Sequence, residues 1–158
     1  MNAAVLTVSD GVAAGTRADE SGGVLADRAA GIGFAVVERR VVRDDAQEIS
    51  DALLGLTERA DLILTTGGTG FSPRDVTPEA TSGVIERTAP GLDEAMREVS
   101  RRASPHGLLT RGASGIAGRT LIVNFPGSPK ACAECFDTVA GALPHAVALL
   151  TEQPTEHP

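Results

Sequence analysis

Two aspartates and a run of glycines provide the groups with which this sequence could do chemistry. Asp44 follows an apolar segment, and Asp75 lies shortly after the segment Gly67–Gly70. Glycines let a ligand approach the main chain, because no Cβ stands in the way. A strand that leads through a glycine turn into a helix presents backbone N–H groups to an anion. An aspartate beside bound phosphate would repel it unless a cation lay between them, so the combination predicts Mg²⁺ and a nucleotide.

Each of the acidic candidates also has a structural explanation. Asp75 could cap the helix that follows, although Thr77 is expected to be that cap, with Pro78 as the first helical residue. Asp44 and Asp45 could do no more than begin the next helix. The residues by themselves leave these alternatives open.

The remaining polar residues give weaker signals. Lys130 lies in the first turn of a predicted helix, where a cation opposes the dipole, so it is either an anion contact or an ordinary surface lysine. Arg74 could restrain Asp75 or contact a phosphate, and Arg111 could contact a phosphate from its loop. Three histidines lack the spacing of metal ligands and are expected to be surface or satisfied side chains: His106, His145 and His157.

Cys132 and Cys135 are the only two cysteines, and their C-x-x-C spacing allows a redox pair or a metal site. Two cysteines do not complete a four-ligand zinc site. They align along one helix face with Phe136, Val139 and Leu143. We therefore expect buried thiols that pack as small apolar side chains.

Composition limits the classes of protein that fit. A chain of 158 residues, 42% of them hydrophobic, is expected to form one domain over residues 1–158 with a real core. The net charge of −7 argues against nucleic-acid binding, which uses a basic surface. The start of the chain lacks the pattern of a signal peptide, and no apolar run approaches the length of a membrane span. The expected location is the cytoplasm, without membrane association.

Predicted strands and helices alternate along the chain. The strands are Ala3–Val8, Phe34–Val42, Leu62–Leu64 and Arg119–Val123. The predicted helices are Ala46–Arg59, Thr77–Thr88 and Leu92–Ala103, preceded by one that is capped within Asp19–Ser21 and ends near Gly31. A last helix is expected to begin with Ser128 as its cap and Pro129 after it, and Pro144 is expected to kink or restart it after Gly141. Gly115–Gly118 is expected to be a turn. The alternation predicts an α/β protein, a three-layer αβα sandwich with a mostly parallel sheet.

In such sheets, ligands gather at the carboxyl ends of the strands. Those ends carry Ser9–Asp10, Asp44–Asp45, Gly67–Gly70 and Asn124–Ser128. Turns favour the same residue types without any ligand. Turn formation alone does not require Asp75 and the loops beside it. Their presence favours a ligand site at that edge.

The segment Thr65–Thr81, TTGGTGFSPRDVTPEAT, resembles the signature of the molybdenum cofactor biosynthesis family, which comprises the Mog/MoaB-type proteins and the related domain of gephyrin. The resemblance extends to Ser9–Asp10, to the loop of Asp44, to Pro90–Gly91 and to Asn124–Lys130. Together these segments cover most of the chain. The resemblance implies a molybdopterin-binding-like fold.

The resemblance also implies an activity. Similar proteins are trimers that bind molybdopterin, and the Mog-type members transfer adenylate from Mg-ATP to its terminal phosphate, releasing pyrophosphate before molybdate insertion. On this resemblance Asp44, rather than Asp45, holds Mg²⁺ together with Asp75. The expected binding residues for ATP and molybdopterin are Ser9, Asp10, Gly67, Gly68, Thr69, Gly70, Ser114, Gly127, Ser128 and Lys130.

Two other functions remain open at this point. MoaB-type relatives share these motifs, so the chain could be a carrier that binds molybdopterin without turnover. A scaffold comparable to gephyrin has less support, because no linker to further domains is evident. The expected assembly is a homotrimer that passes its product to a molybdenum-inserting protein.

Overall fold

The apolar segment Leu62–Thr66 is the strand around which the sheet is built. In the computed structural model of the protein, which describes residues 1–155, all of this strand is buried within a six-stranded sheet. It pairs in parallel with a strand on each side. A strand covered on both faces needs no polar alternation, and this explains its continuous apolar sequence.

The six strands are β1 (Asn2–Val8), β2 (Ala35–Val42), β3 (Leu62–Thr66), β4 (Arg87–Thr88), β5 (Ser114–Ala117) and β6 (Thr120–Phe125). The α-helices are α1 (Asp10–Ala13), α2 (Glu20–Gly31), α3 (Ala46–Thr57), α4 (Thr77–Ser82), α5 (Pro90–Ala103), α6 (Pro129–Val139) and α7 (Leu143–Leu150), and Pro105–Leu109 forms a 3-10 helix. The sheet order is β2-β1-β3-β6-β5-β4. The first four strands in this order are parallel to one another, whereas β5 pairs antiparallel with both β6 and β4.

Two hydrophobic cores cover the two faces of the sheet. Alternate residues of a strand point to opposite faces, so Leu62 and Leu64 lie in one core and Ile63 in the other. Helices α2, α5, α6 and α7 pack on the first face, while α3 and α4 pack on the second. The predicted three-layer α/β architecture with a mostly parallel sheet is therefore confirmed.

Most helix starts agree with the sequence. Asp19, Asp45 and Ser128 cap α2, α3 and α6, and their side chains accept hydrogen bonds from Gly22 N (3.1 Å), Glu48 N (2.9 Å) and Ala131 N (3.1 Å). The predicted restart of the last helix is also found, because α6 ends at Val139 and α7 begins at Leu143.

The helix expected at Thr77–Thr88 begins at Thr77, but its predicted cap and its predicted end are wrong. Thr77 does not cap it: its hydroxyl donates to Gly67 O at 2.9 Å instead, and Val76 occupies the N-cap position without a side-chain bond. The helix ends at Ser82, and Arg87–Thr88 is the edge strand β4. Pairing with β5 takes this segment out of the helix, an effect of tertiary structure that local propensity does not contain.

The expected turn at Gly115–Gly118 is also wrong over most of its length. Ser114–Ala117 is strand β5, and its Gly115 pairs with Ile122. A Cβ on Gly115 would lie 2.6 Å from the carbonyl oxygen of Arg87, so this glycine permits a close approach of β4. The predicted strand Arg119–Val123 exists as Thr120–Phe125.

The two cysteines are buried and free, as expected. The Cys132 thiol contacts Pro126 O at 2.8 Å, and the Cys135 thiol lies 3.4 Å from Ser100 Oγ. Burial raises the pKa of Cys132 to about 12, and burial also raises the pKa of Cys135. Within residues 1–155, no helix is both long and apolar enough to cross a bilayer.

We expect both thiols to resist Ellman's reagent in the native protein at pH 8, because a raised pKa leaves little of the reactive thiolate. Their reaction should be on the order of a hundredfold slower than that of free cysteine. Unfolding in guanidinium should expose both groups within the mixing time. Rapid native labelling of either thiol would show instead an accessible, activated cysteine.

Candidate functional site

A cavity of about 540 Å³ opens at the carboxyl ends of β1 and β3, beside the start of α6. Seven residues that the sequence predicts as functional line it: Ser9, Asp44, Gly67, Gly68, Asp75, Gly127 and Ser128. They meet because β1, β2, β3 and β6 run parallel, so the loops that follow these strands lie at one edge of the sheet. Asp44 and Asp75 thus share one cavity.

The backbone amide of each of two aspartates, Asp10 and Asp44, donates a hydrogen bond to the carboxylate of the other. The amide of Asp10 donates to Asp44 Oδ2 at 2.9 Å, and the amide of Asp44 donates to Asp10 Oδ1 at 3.0 Å. The amide of Ser9 donates to Val42 O at 3.0 Å, which fastens the ends of β1 and β2 side by side. The position of the Asp44 carboxylate is therefore set by two neighbouring strands.

Arg74 neutralises one of these two carboxylates. Its guanidinium donates to both oxygens of Asp10, at 2.8 Å from Nη2 to Oδ2 and 3.1 Å from Nε to Oδ2, with Nη2 also 3.0 Å from Oδ1. This bond and the one from the Asp44 amide lower the pKa of Asp10. Arg74 thus contacts Asp10, and within residues 1–155 neither Asp44 nor Asp75 forms an ion pair with an arginine.

The Asp44 carboxylate lies in an unfavourable electrostatic environment. Its burial raises its pKa, and the negative charges of Asp10 and Asp75 raise it further, against an opposing hydrogen bond from the Asp10 amide. Asp44 and Asp75 line the same cavity, where their negative charges repel each other. A divalent cation between them would turn this repulsion into attraction.

Asp75 lies in a loop that folds back on itself. Its Oδ2 accepts from the amide of Ser72 at 3.1 Å, and its own amide donates to Ser72 O at 2.9 Å. At the end of the loop, the amide of Thr77 donates to Gly68 O at 3.1 Å, in addition to the hydroxyl bond to Gly67. Thr77 is therefore a fastening for the glycine turn and not a helix cap.

Gly67 and Gly68 have backbone conformations that favour glycine, with φ of +92° and +65°. A Cβ on Gly67 would collide with the carbonyl of Val8, and one on Gly68 would collide with Thr77 Oγ1. The amide of Gly67 donates to Phe125 O at 3.3 Å. Among residues 1–155, the amide of Gly68 finds no hydrogen-bond partner, so it is available to a ligand in the cavity.

The start of α6 forms the opposite wall. Gly127, Ser128 and Pro129 line the cavity, and the Ser128 hydroxyl is used as the helix cap. The positive end of the helix dipole therefore faces the cavity. An anionic group of a ligand is favoured at this wall.

Five predicted binding residues do not line the cavity: Asp10, Thr69, Gly70, Ser114 and Lys130. Ser114 is buried and bonds to Asp93, through its hydroxyl at 2.6 Å and its amide at 2.9 Å. The Lys130 side chain is 86% exposed, with its Nζ 3.9 Å from a Glu134 oxygen. Its placement therefore agrees with the surface-lysine alternative.

Arg17 is a cavity residue that the sequence reasoning missed. It lines the cavity with Glu20, Asp44 and Asp75, so carboxylates outnumber cations in this wall by three to one. Within the described part of the chain it forms no ion pair with a carboxylate. The available signal was its place in the loop that follows β1, at the carboxyl edge of the sheet.

Asp44 and Asp75 present the hard oxygen ligands that Mg²⁺ prefers. Residues 1–155 contain no cluster of three or more acidic, histidine or cysteine side chains suited to a metal ion. Two carboxylates are nevertheless a typical protein contribution to Mg²⁺, which keeps waters and takes further oxygens from a bound phosphate. The residues present therefore fit this ion better than a metal held by the protein alone.

The sheet order and this cavity define an α/β protein with an acidic, glycine-walled site at the carboxyl edge of its sheet. Residues 4–145 match the family model described as "Probable molybdopterin binding domain". The chain belongs to this family, which confirms the resemblance seen in the sequence.

Curated relatives extend the comparison. The molybdenum cofactor synthesis protein cinnamon of Drosophila melanogaster is 44% identical over 150 residues, which are 92% of this chain and 25% of that protein. The molybdopterin adenylyltransferase of Helicobacter pylori is 40% identical over 112 residues, which are 70% of this chain and 64% of that one. The chain thus spans less than two thirds of the length of each.

Solved structures match over nearly the whole chain. The molybdopterin biosynthesis enzyme MoaB from Thermus thermophilus has a TM-score of 0.91 and 43% identity, covering 98% of this chain and 99% of that one. The molybdopterin biosynthesis Mog protein from Mycobacterium ulcerans has a TM-score of 0.89 and 39% identity, covering 94% and 98%. Both support the fold described above.

The glycine turn yields a stability test. Gly67→Ala should lower the free energy of unfolding by about 2–4 kcal/mol, from positive φ and the collision with Val8 O together. Gly15 is the matched control, since its φ is +75° but nothing lies within 4 Å of its would-be Cβ. Gly15→Ala should lose only about 1 kcal/mol. Equal losses in urea unfolding would contradict the close approach of this turn to β1.

Proposed function

We propose that the protein is a molybdopterin adenylyltransferase, which transfers AMP from Mg-ATP to the terminal phosphate of molybdopterin and releases pyrophosphate. The observation that carries the proposal is the shared cavity of Asp44 and Asp75 beside the glycine turn. The chain's family and its likeness to the H. pylori adenylyltransferase add support.

The electrostatics of the cavity suit this reaction. Both substrates are anions, and a wall in which carboxylates outnumber cations would repel them. A cation held by Asp44 and Asp75 removes this repulsion and so makes the acidic residues compatible with anionic substrates. When bound, Mg²⁺ supplies charge neutralisation for the triphosphate.

The chemistry requires positioning more than a base. A phosphate oxygen of molybdopterin is already ionised at neutral pH, and it attacks the α-phosphorus of ATP. A new P–O bond forms there while the bond to the bridging oxygen breaks, and that electron pair leaves with pyrophosphate. The Gly68 amide, Arg17 and the first turn of α6 hold phosphate oxygens in this proposal, and a cavity closed by these groups fixes the approach.

Asp75→Asn and Asp44→Asn should each reduce pyrophosphate release by more than about a hundredfold, since even residues that only orient a metal ligand are worth 10–100-fold. The assay contains molybdopterin, Mg²⁺ and labelled ATP. Asp45→Asn is the matched control, because Asp45 caps α3 and asparagine also caps helices. Wild-type rates in the Asp75→Asn protein, with its fold intact by circular dichroism, would remove the mechanism.

The likeness to MoaB supports a second candidate function, that of a carrier that binds molybdopterin without turnover. The two differ in what they need to bind. Calorimetry with molybdopterin alone and with Mg-ATP separates them, because a carrier has no requirement for the nucleotide.

The proposal includes a homotrimer of single-domain subunits in the cytoplasm that passes its product to a molybdenum-inserting protein. This part of the proposal rests on the resemblance of the chain's motifs to the Mog/MoaB-type proteins. Light scattering should give about three times the chain mass of 16.2 kDa. A mass equal to one chain would contradict the trimer.

A further inference from the structure

Arg111 binds the loop of Asp75 from outside the cavity. Its amide donates to Thr69 O at 2.8 Å, its Nε to Gly70 O at 2.8 Å and its Nη2 to Asp75 O at 2.8 Å. Its Nη1 forms an ion pair with Glu79 on α4. One residue therefore satisfies carbonyls on both sides of the turn that presents Asp75.

Within residues 1–155 this loop has two other anchors, the bonds of Thr77 and the exposed ion pair of Arg74 with Asp10, but neither contacts the carbonyl of Gly70 or Asp75. Thr77 fastens the loop to Gly67 and Gly68, while the bonds between Asp75 and Ser72 stay within the loop. The carbonyls of Gly70 and Asp75 depend on the Arg111 guanidinium, whose flat fork can reach several acceptors at fixed angles. A lysine ammonium keeps the charge but loses this fixed geometry.

We propose that Arg111 is a positioning residue, which fixes the main chain around Asp75 so that its carboxylate is held in place for a divalent cation. The inference rests on the metal role that the proposed function gives to Asp75. Arg111 does not line the cavity, so its effect passes through Asp75 and not through contact with a substrate.

The guanidinium of Arg111 makes two kinds of contact, carbonyl hydrogen bonds and an ion pair, which have different effects. The carbonyl bonds position the loop, whereas the ion pair with Glu79 is more than half exposed on the glutamate side and contributes little to stability. Removing Glu79 therefore leaves the positioning bonds intact. This gives a variant that separates the ion pair from the loop.

The experiment titrates Mn²⁺, as a spectroscopic substitute for Mg²⁺, into the full chain with a non-hydrolysable ATP analogue and follows free Mn²⁺ by EPR. Arg111→Lys should weaken Mn²⁺ binding by about 10–100-fold, the range for residues that orient metal ligands. Glu79→Gln should bind Mn²⁺ as the wild type does. Arg97→Lys is a second control. Arg97 on α5 donates to the carbonyl of Gly112, the neighbour of Arg111, at 3.2 Å and has no hydrogen bond to the Asp75 loop among the described residues.

Molybdopterin affinity and melting temperature are measured on the same proteins. We expect Arg111→Lys to keep both near wild-type values, which a general loss of structure would not allow. Unchanged Mn²⁺ binding in Arg111→Lys would overturn the inference, as would equal losses of Mn²⁺ and molybdopterin binding. Equal weakening by Glu79→Gln would also overturn it, since the ion pair would then be the active contact.

The wild-type protein distinguishes this failure from that of the proposed function. If the wild type binds Mn²⁺ and molybdopterin but releases no pyrophosphate from ATP, the proposed adenylyl transfer is refuted. The Mn²⁺ affinities of the wild type and Arg111→Lys still decide the role of Arg111 in that case. If the wild type binds no Mn²⁺, the inference is overturned together with the metal role.

Discussion

The chemistry of the site is governed by repulsion among carboxylates at one edge of the sheet. Asp44 is partly buried, bonds to Asp10 and shares a cavity with Asp75, and its pKa is raised by that burial and by the charges of both aspartates. Arg74 relieves Asp10. A fold that holds like charges together contains an unfavourable interaction that a bound divalent cation relieves, and this is the physical reason to connect the cavity with a metal-bound anion.

The sheet and its loops maintain this arrangement through backbone bonds. The amides of Asp10 and Asp44 bond across two strand ends, and the glycine turn passes so close to β1 that a Cβ on Gly67 would meet Val8 O. Two buried cores keep the four parallel strands in register. Main-chain bonds thus fix the loops that carry the charged side chains of the cavity, and this suits a reaction that needs positioning and charge neutralisation more than a base.

The fold was predictable because apolar runs and helix caps are local signals, and Asp19, Asp45 and Ser128 cap their helices as expected. The prediction that Thr77 caps its helix was wrong, because its hydroxyl bonds to the glycine turn, a partner that local sequence does not reveal. The sequence also predicted which loops meet at the edge, because parallel strands impose it. It did not reveal Arg17 in the cavity or the carbonyl contacts of Arg111, which arise only when distant segments pack.

The most direct test of the central claim is a crystal structure with Mn²⁺ and a non-hydrolysable ATP analogue, using anomalous scattering to locate the ion. We expect one Mn²⁺ bonded to carboxylate oxygens of both Asp44 and Asp75, with the phosphates of the nucleotide against the Gly68 amide. A well-occupied nucleotide elsewhere on the molecule, or an ion that contacts neither aspartate, would contradict it.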